Sequence, residues 1–280
     1  CFFITNATMS VRFKSLGSGS AGNATLVEAG DGLRRRYLLI DCGMPLRRLV
    51  GRLQQAGVEP DELAAIFITH EHVDHTGCVL SLALRYRIPV WMSRGTHAGM
   101  GAPDWEGLAR WTRDGDVLDV AGMQLQPFTV PHDAREPLQL RCSDGDRVLG
   151  IATDLGHATA HVVDSLHQCH ALLLESNHDP GMLAASRYPE FLKRRVAGDL
   201  GHLSNAAAAA LAARCGGVTV SWEDLPRAAA EHDVALAVLA VELLVQLLGV
   251  DGDVLLELVG ALIHWQSPPH GTRPRCRGCP

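Results

Sequence analysis

The chain has 280 residues, 47% hydrophobic and 20% charged, a globular composition that excludes collagen, coiled coil, a small disulfide scaffold and a polytopic membrane protein. Its 25 basic against 31 acidic side chains give a net charge of −6, so the overall balance announces neither a nucleic-acid binder nor a protein of anionic membrane surfaces. Eight cysteines without framework spacing read as free thiols of a cytoplasmic protein. No charged stretch leads into an apolar run of signal-peptide type, and the apolar residues 236–250 are too short for a membrane span and carry Glu242 and Gln246.

Residues 11–16 alternate as a strand does, and Gly17-Ser-Gly-Ser-Ala-Gly-Asn23 breaks the alternation with a small-residue loop. Strands are predicted at 24–29 and 37–40, the second running into Asp41. A helix is predicted over 45–56, with Pro45 in the first turn where its missing N–H costs nothing. The apolar run 64–68 predicts a buried strand ending at Thr69. A helix over 77–87 and a strand at 89–92 follow, then strands at 123–130, 138–142, 148–153 and 170–175, and helices at 188–197 and 204–213. Strands and helices mix throughout, which predicts one α/β domain with sheets covered by helices.

The chemistry concentrates in Thr69-His70-Glu71-His72-Val73-Asp74-His75, three imidazoles and two carboxylates just past a buried strand. Neutral imidazole and carboxylate are ligands for Zn²⁺, Mn²⁺ or Fe²⁺. Residues i and i+2 in a turn leaving a strand can point to one side, so His70 and His72 can share one ion, while Asp74 and His75 at the start of the next helix can face a second. His132 and Asp154 stand at two further strand exits. They supply a third ligand to the first ion and a carboxylate able to bridge both. Two cations sharing a hydroxide lower its pKa and present it to a phosphoryl or carbonyl centre.

The spacing Thr-His-x-His-x-Asp-His, then His132, then Asp154, resembles the metallo-β-lactamase fold superfamily of binuclear hydrolases, over about residues 9–213. The resemblance implies an αββα sandwich with two divalent ions at one edge of the facing sheets. By it, His70, His72 and His132 hold one ion, Asp74 and His75 the other, and Asp154 bridges; Asp41 supports the cluster by hydrogen bonding. A narrower similarity, to the YycJ/WalJ-type branch, rests on the Gly/Ser loop with its Phe13 lead-in, on Glu175-Ser-Asn-His-Asp179 and on Gly201-His-Leu-Ser-Asn205. It implies phosphodiester hydrolysis, with a DNA exonuclease as the expected activity and a nucleic acid as the expected partner. Ser18, Ser20 and Asn23 would then face a phosphate, and Asn177, Ser204 and Asn205 the rest of the substrate. Asp74, His178 and His202 would carry the chemistry, with a leaving oxygen protonated by one of the histidines. The competing readings are a tight turn for the Gly/Ser loop and a helix N-cap for Ser204. Lys193, Arg194 and Arg195 would steer phosphate, or line a solvated helix face.

The superfamily places one more His after a late strand. Residues 217–221 read as that strand, yet Trp222-Glu-Asp follows, and the remaining histidines are His232, His264 and His270. The expected organisation is therefore a hydrolase domain over 9–214, an atypical helical segment over 215–266 and an unstructured tail over 267–280, with residues 1–8 upstream of a natural start at Met9. Under this reading the alternatives are a thioester or lactone hydrolase of the same fold and an inactive metal-binding remnant.

Overall fold

A parallel strand in the middle of a sheet is buried on both faces and needs a continuous apolar run. The computed structural model, which describes residues 11–30, 35–120 and 122–215, places two such strands side by side in parallel, β3 (Arg35–Ile40) and β4 (Leu63–Phe67). Their sheet continues outward to β2 (Ala24–Gly30) and β1 (Arg12–Gly17) as an antiparallel meander. On the other side it runs in parallel to β5 (Val90–Met92) and β6 (Ala109–Trp111). The carboxyl ends of β3, β4, β5 and β6 therefore share one edge.

The side chains of β3 and β4 divide between two faces, with a register irregularity after the Tyr37–Leu63 pair that puts Leu63 on the same side as Ile66. Tyr37, Leu39, Leu63 and Ile66 pack outward with Leu49 and Leu53 of α1 (Leu46–Gln55) and with Val79, Leu82 and Ala83 of α3 (Val79–Tyr86). Leu38, Ile40, Ala65 and Phe67 face inward, against Met123, Leu125, Leu138, Leu140, Leu149 and Ile151 of the second sheet. That sheet is ordered β11 (Ala171–Leu174), β10 (Val148–Ala152), β9 (Leu138–Ser143), β8 (Met123–Thr129) and β7 (Leu118–Val120). Its outer face is covered by α5 (Ala160–Leu166) and α8 (Asn205–Cys215), whose Val162, Leu166, Ala208, Leu211 and Ala212 form a third apolar cluster. The layers read helix, sheet, sheet, helix. The Ala-rich α8 combines the strongest helix former with small side chains.

The predicted strands fall where expected to within two residues at either end. The helix predicted over 77–87 is α3, and a separate single turn, α2 (Val73–Thr76), precedes it across Gly77 and Cys78. Short elements absent from the expectation are β6, β7, α4 (Arg94–Gly99), α5 and α6 (Pro180–Ala185). The helices among them are opened by Ser93, Thr159 and Asp179, each accepting from the backbone N–H three residues on. The helix predicted over 188–197 is α7 (Glu190–Val196). Cys42, Cys78, Cys142, Cys169 and Cys215 are buried free thiols. No helix among the described residues is long and apolar enough to cross a membrane. The segments expected before residue 9 and beyond Cys215, including residues 217–221, His232, His264 and His270, lie outside the described residues.

Candidate metal centre

The histidines leave β4 in an orientation fixed by hydrogen bonding. Asp41, just past β3, is buried and adopts φ 61°, a left-handed backbone that Asp tolerates better than most residues. Its carboxylate accepts the Thr69 N–H at 2.9 Å and the Thr69 hydroxyl at 2.9 Å, and meets His75 Nδ1 at 2.7 Å. The one hydroxyl proton of Thr69 goes to Asp41, so Thr69 Oγ1 accepts from His70 Nδ1–H at 3.0 Å. One buried carboxylate thus sets the tautomer of His70 and the direction of His75, leaving both Nε2 atoms facing the opposite sheet. His132 is fixed from the other side, where its Nδ1–H donates to the Gly201 carbonyl at 3.2 Å.

The nitrogens so aimed converge. His70 Nε2 lies 3.0 Å from His72 Nδ1, which lies 3.3 Å from His132 Nε2. Tetrahedral Zn–N bonds of about 2.0–2.1 Å put ligand nitrogens roughly 3.3 Å apart, so these three rings fit a divalent ion. Burial holds His70 and His132 below the ordinary imidazole range, and the neutral ring is the form that ligates. A second grouping joins His70, His75 and Asp154, and a third Asp154, Glu175 and His202. Asp154, past β10 and also left-handed at φ 55°, belongs to both. Its Oδ2 sits 2.8 Å from His75 Nε2 and its Oδ1 3.2 Å from His202 Nδ1. Burial opposes charge on Asp154, but the hydrogen bonds from His202 and His75 outweigh it and hold the carboxyl well below its usual range. Burial likewise opposes charge on His75, and Asp41 and Asp154 overcome it, raising its pKa. His202 is also partly buried, yet Asp154 and Glu175, the latter 3.0 Å from Nδ1, push it up to about 10.

Asp74 stands at the rim, its Oδ2 3.9 Å from His75 Nε2, outside the three groupings. Asn23 ties it in, with Nδ2 3.4 Å from Asp74 Oδ2 and 2.9 Å from His75 Nε2. Ser18 and Ser20 are exposed on a turn closed by the Gly22 N–H to the Gly19 carbonyl. Asn177 is exposed, while His178 has a buried Nδ1 without a partner among the described residues. Ser204 caps α8, accepting from the Ala207 N–H, and Asn205 Oδ1 accepts from the Ser176 hydroxyl at 2.8 Å. Glu175 was not among the expected site residues. It stands past β11 as Asp41, His132 and Asp154 stand past their strands, and the same strand-exit rule would have found it. Its Oε1 accepts the Leu155 and Leu203 N–H groups at 2.8 and 3.0 Å. Asp133, also missed, lies 3.4 Å from His132 Nε2 and 2.6 Å from Arg195 Nε.

Two facing sheets between helical layers, delivering His, Asp and Glu side chains from strand ends to one edge, define an αββα fold built for divalent metal chemistry. The chain belongs to the metallo-beta-lactamase superfamily, whose family model matches residues 17–180. It is 31% identical over 212 residues to the exodeoxyribonuclease YycJ of Bacillus anthracis, covering 72% of this chain and 76% of that one. It is 30% identical over 199 residues to the exodeoxyribonuclease WalJ of Streptococcus pneumoniae, covering 69% and 72%. Among solved structures it is similar to the metallo-beta-lactamase fold protein YhfI of Bacillus subtilis, with a TM-score of 0.58 and 16% identity over 74% of this chain and 83% of that one; that likeness bears on the fold alone.

Proposed function

We propose that this protein is a binuclear metal-dependent phosphodiesterase acting on DNA as an exonuclease. The observation that carries the reading is Asp154, which one carboxylate oxygen ties to the histidine cluster and the other to His202. The relatives named exodeoxyribonucleases, at about 30% identity over most of the chain, support a DNA substrate. In this reading His70, His72 and His132 hold one divalent ion, Asp74 and His75 the other, and Asp154 both; Zn²⁺, Mn²⁺ and Fe²⁺ all suit the donors. Bound there, the ions would supply Lewis acidity and a nucleophilic hydroxide at neutral pH.

The chain's own groups do the rest. Asp41 and Thr69 hold the rings in their ligating tautomers, and Gly201 holds His132. His202, protonated at neutral pH by its two carboxylate neighbours, gives its proton to the leaving oxygen. Glu175, anchored by two backbone N–H groups, orients that imidazole and balances the charge of its protonated form until the proton leaves. Asn23 steadies Asp74 at the rim.

The test is hydrolysis by purified, metal-loaded protein of 5′-labelled DNA, a nitrophenyl phosphodiester and a thioester, beside the His72→Ala variant. Preference for the phosphodiesters, lost in the variant, is expected. Turnover of the thioester alone would overturn the reading.

A further inference from the structure

A ring that ligates through one nitrogen carries its proton on the other, and the acceptor of that N–H fixes the plane of the ring. His70 and His132 have such acceptors in Thr69 Oγ1 and the Gly201 carbonyl. His72 is turned the other way round. It gives Nδ1 to the trio, at 3.0 Å from His70 Nε2 and 3.3 Å from His132 Nε2, so its proton belongs on Nε2. The group facing that nitrogen is Asp133, whose Oδ1 lies 3.7 Å away. Oδ1 is also 3.4 Å from His132 Nε2, but that nitrogen holds a lone pair when Nδ1–H donates to Gly201. Of the two rings, only His72 has a proton to offer.

The carboxylate is aimed from outside the sheets. Arg195 Nε of α7 takes Oδ2 at 2.6 Å, which leaves Oδ1 for the imidazole. The backbone of Asp133 is tied to the same unit, its N–H donating to the Leu200 carbonyl at 3.0 Å. The turn after α7 is closed by the Gly201 N–H to the Gly198 carbonyl at 2.8 Å and by the His202 N–H to the Val196 carbonyl at 2.9 Å. Gly201 packs so closely there that a Cβ would run into the Arg195 and Val196 carbonyls. Arg195, Leu200 and Gly201 thus grip His132 and Asp133 at three points. The Arg195–Asp133 pair is partly exposed and contributes little to stability; what it does is hold one carboxylate oxygen toward the trio. The outer torsion of a His side chain is soft, so a slight turn of the His72 ring brings Nε2 within hydrogen-bond range of Oδ1.

We propose that Asp133 is a positioning residue for the ion held by His70, His72 and His132: it accepts the His72 Nε2–H, and Arg195 keeps it aimed there. The proposal rests on the metal reading of the three histidines and deepens it by assigning the group that orients the third ring. A carboxylate on the far nitrogen also makes the imidazole a stronger donor to the ion.

The test is Zn²⁺ binding to the full chain by competition with a chromophoric chelator, with thermal melts to show that each variant is folded. Asp133→Ala is expected to weaken one ion about 10- to 100-fold and to leave the other as in the parent. Asp133→Asn, which keeps an acceptor oxygen in place, loses less. Arg195→Ala is the decisive variant, because two explanations differ in sign. Removing a positive charge near a cation site tightens binding if Coulomb forces alone act, whereas losing the aim of Asp133 weakens it. Weakening is expected, with Arg195→Lys recovering much of it. The double variant Asp133→Ala/Arg195→Ala is expected to match Asp133→Ala within about twofold, since Arg195 acts through Asp133. Cobalt substitution separates support from ligation: at saturating Co²⁺, Asp133→Ala keeps the intensity of the visible bands if Asp133 supports His72, and changes it if Asp133 binds the ion itself. The proposal is overturned if Asp133→Ala binds Zn²⁺ as the parent does, if Arg195→Ala binds it more tightly, or if the cobalt bands change in intensity; the metal reading then stands, because the parent still binds its ions. A parent that takes up no divalent ion would sink that reading, and this assignment with it.

Discussion

Asp41 shows how one residue governs a centre it does not enter. Its two oxygens take up Thr69 and His75, and through Thr69 it also decides which nitrogen of His70 carries the proton. Asp41→Asn keeps the size but replaces one acceptor oxygen with a donor, so Thr69 or His75 must give way. The variant is expected to bind Zn²⁺ or Mn²⁺ about 10- to 100-fold more weakly in chelator competition, with the fold retained in circular dichroism. His202 is a separate case, because its removal leaves the three-histidine grouping whole. His202→Gln is expected to keep its metal content while kcat falls about a hundred- to ten-thousand-fold. Glu175→Gln gives a signed pH test. Glu175 is one of the two carboxylates that raise the His202 pKa. Without it His202 loses its proton at lower pH, so the alkaline limb of the kcat profile moves to lower pH. A limb that stays in place would show that another group donates the proton.

Among the elements, the short α2 and the turn after Asp41 are locked backbone to backbone. The Asn23 N–H donates to the Asp74 carbonyl at 2.7 Å, the Cys42 N–H to the His75 carbonyl at 2.7 Å, and the Cys78 N–H to the Cys42 carbonyl at 2.9 Å. Gly43 lies so close to Asp74 that a Cβ there would run into its carbonyl. Gly43→Ala therefore has to push α2 away, and Asp74 and His75 with it. It is expected to cost more than about 1 kcal/mol in urea melts and to weaken metal binding at once. Leu82→Ala, in the outer core behind the same sheet, is expected to cost about 2–5 kcal/mol while leaving metal affinity unchanged in the folded protein. The contrast separates packing that only stabilises from packing that aims ligands. At this scale the sequence was legible where periodicity ran long enough, as in β3, β4, α1 and α8. It was illegible at β6 and β7, three residues each with a charged residue at the centre, because such a run offers neither a period nor the unbroken apolar stretch that marked the equally short β5.

The centre belongs to neither sheet alone. Asp41, His70, His72 and His75 come from the first sheet, and His132, Asp154 and Glu175 from the second, while His202 returns from the connection before α8. An ion held by both sides binds the folded chain and not the unfolded one. Adding Zn²⁺ at about a hundred times its Kd is expected to stabilise the fold by about 2.7 kcal/mol and raise the melting temperature, and chelation to reverse it. An unchanged melting temperature would argue against any ion shared between the sheets. The sequence by itself determined the α/β class and the apolar runs. It also located the His-x-His-x-Asp-His cluster, because ligands within six consecutive residues need only one turn to meet. Only the tertiary structure decided that Glu175 faces His202 and that Asp133 pairs with Arg195, 62 residues away. Such pairings depend on how two sheets stack and how loops return across their edge, and no local period of the chain encodes that.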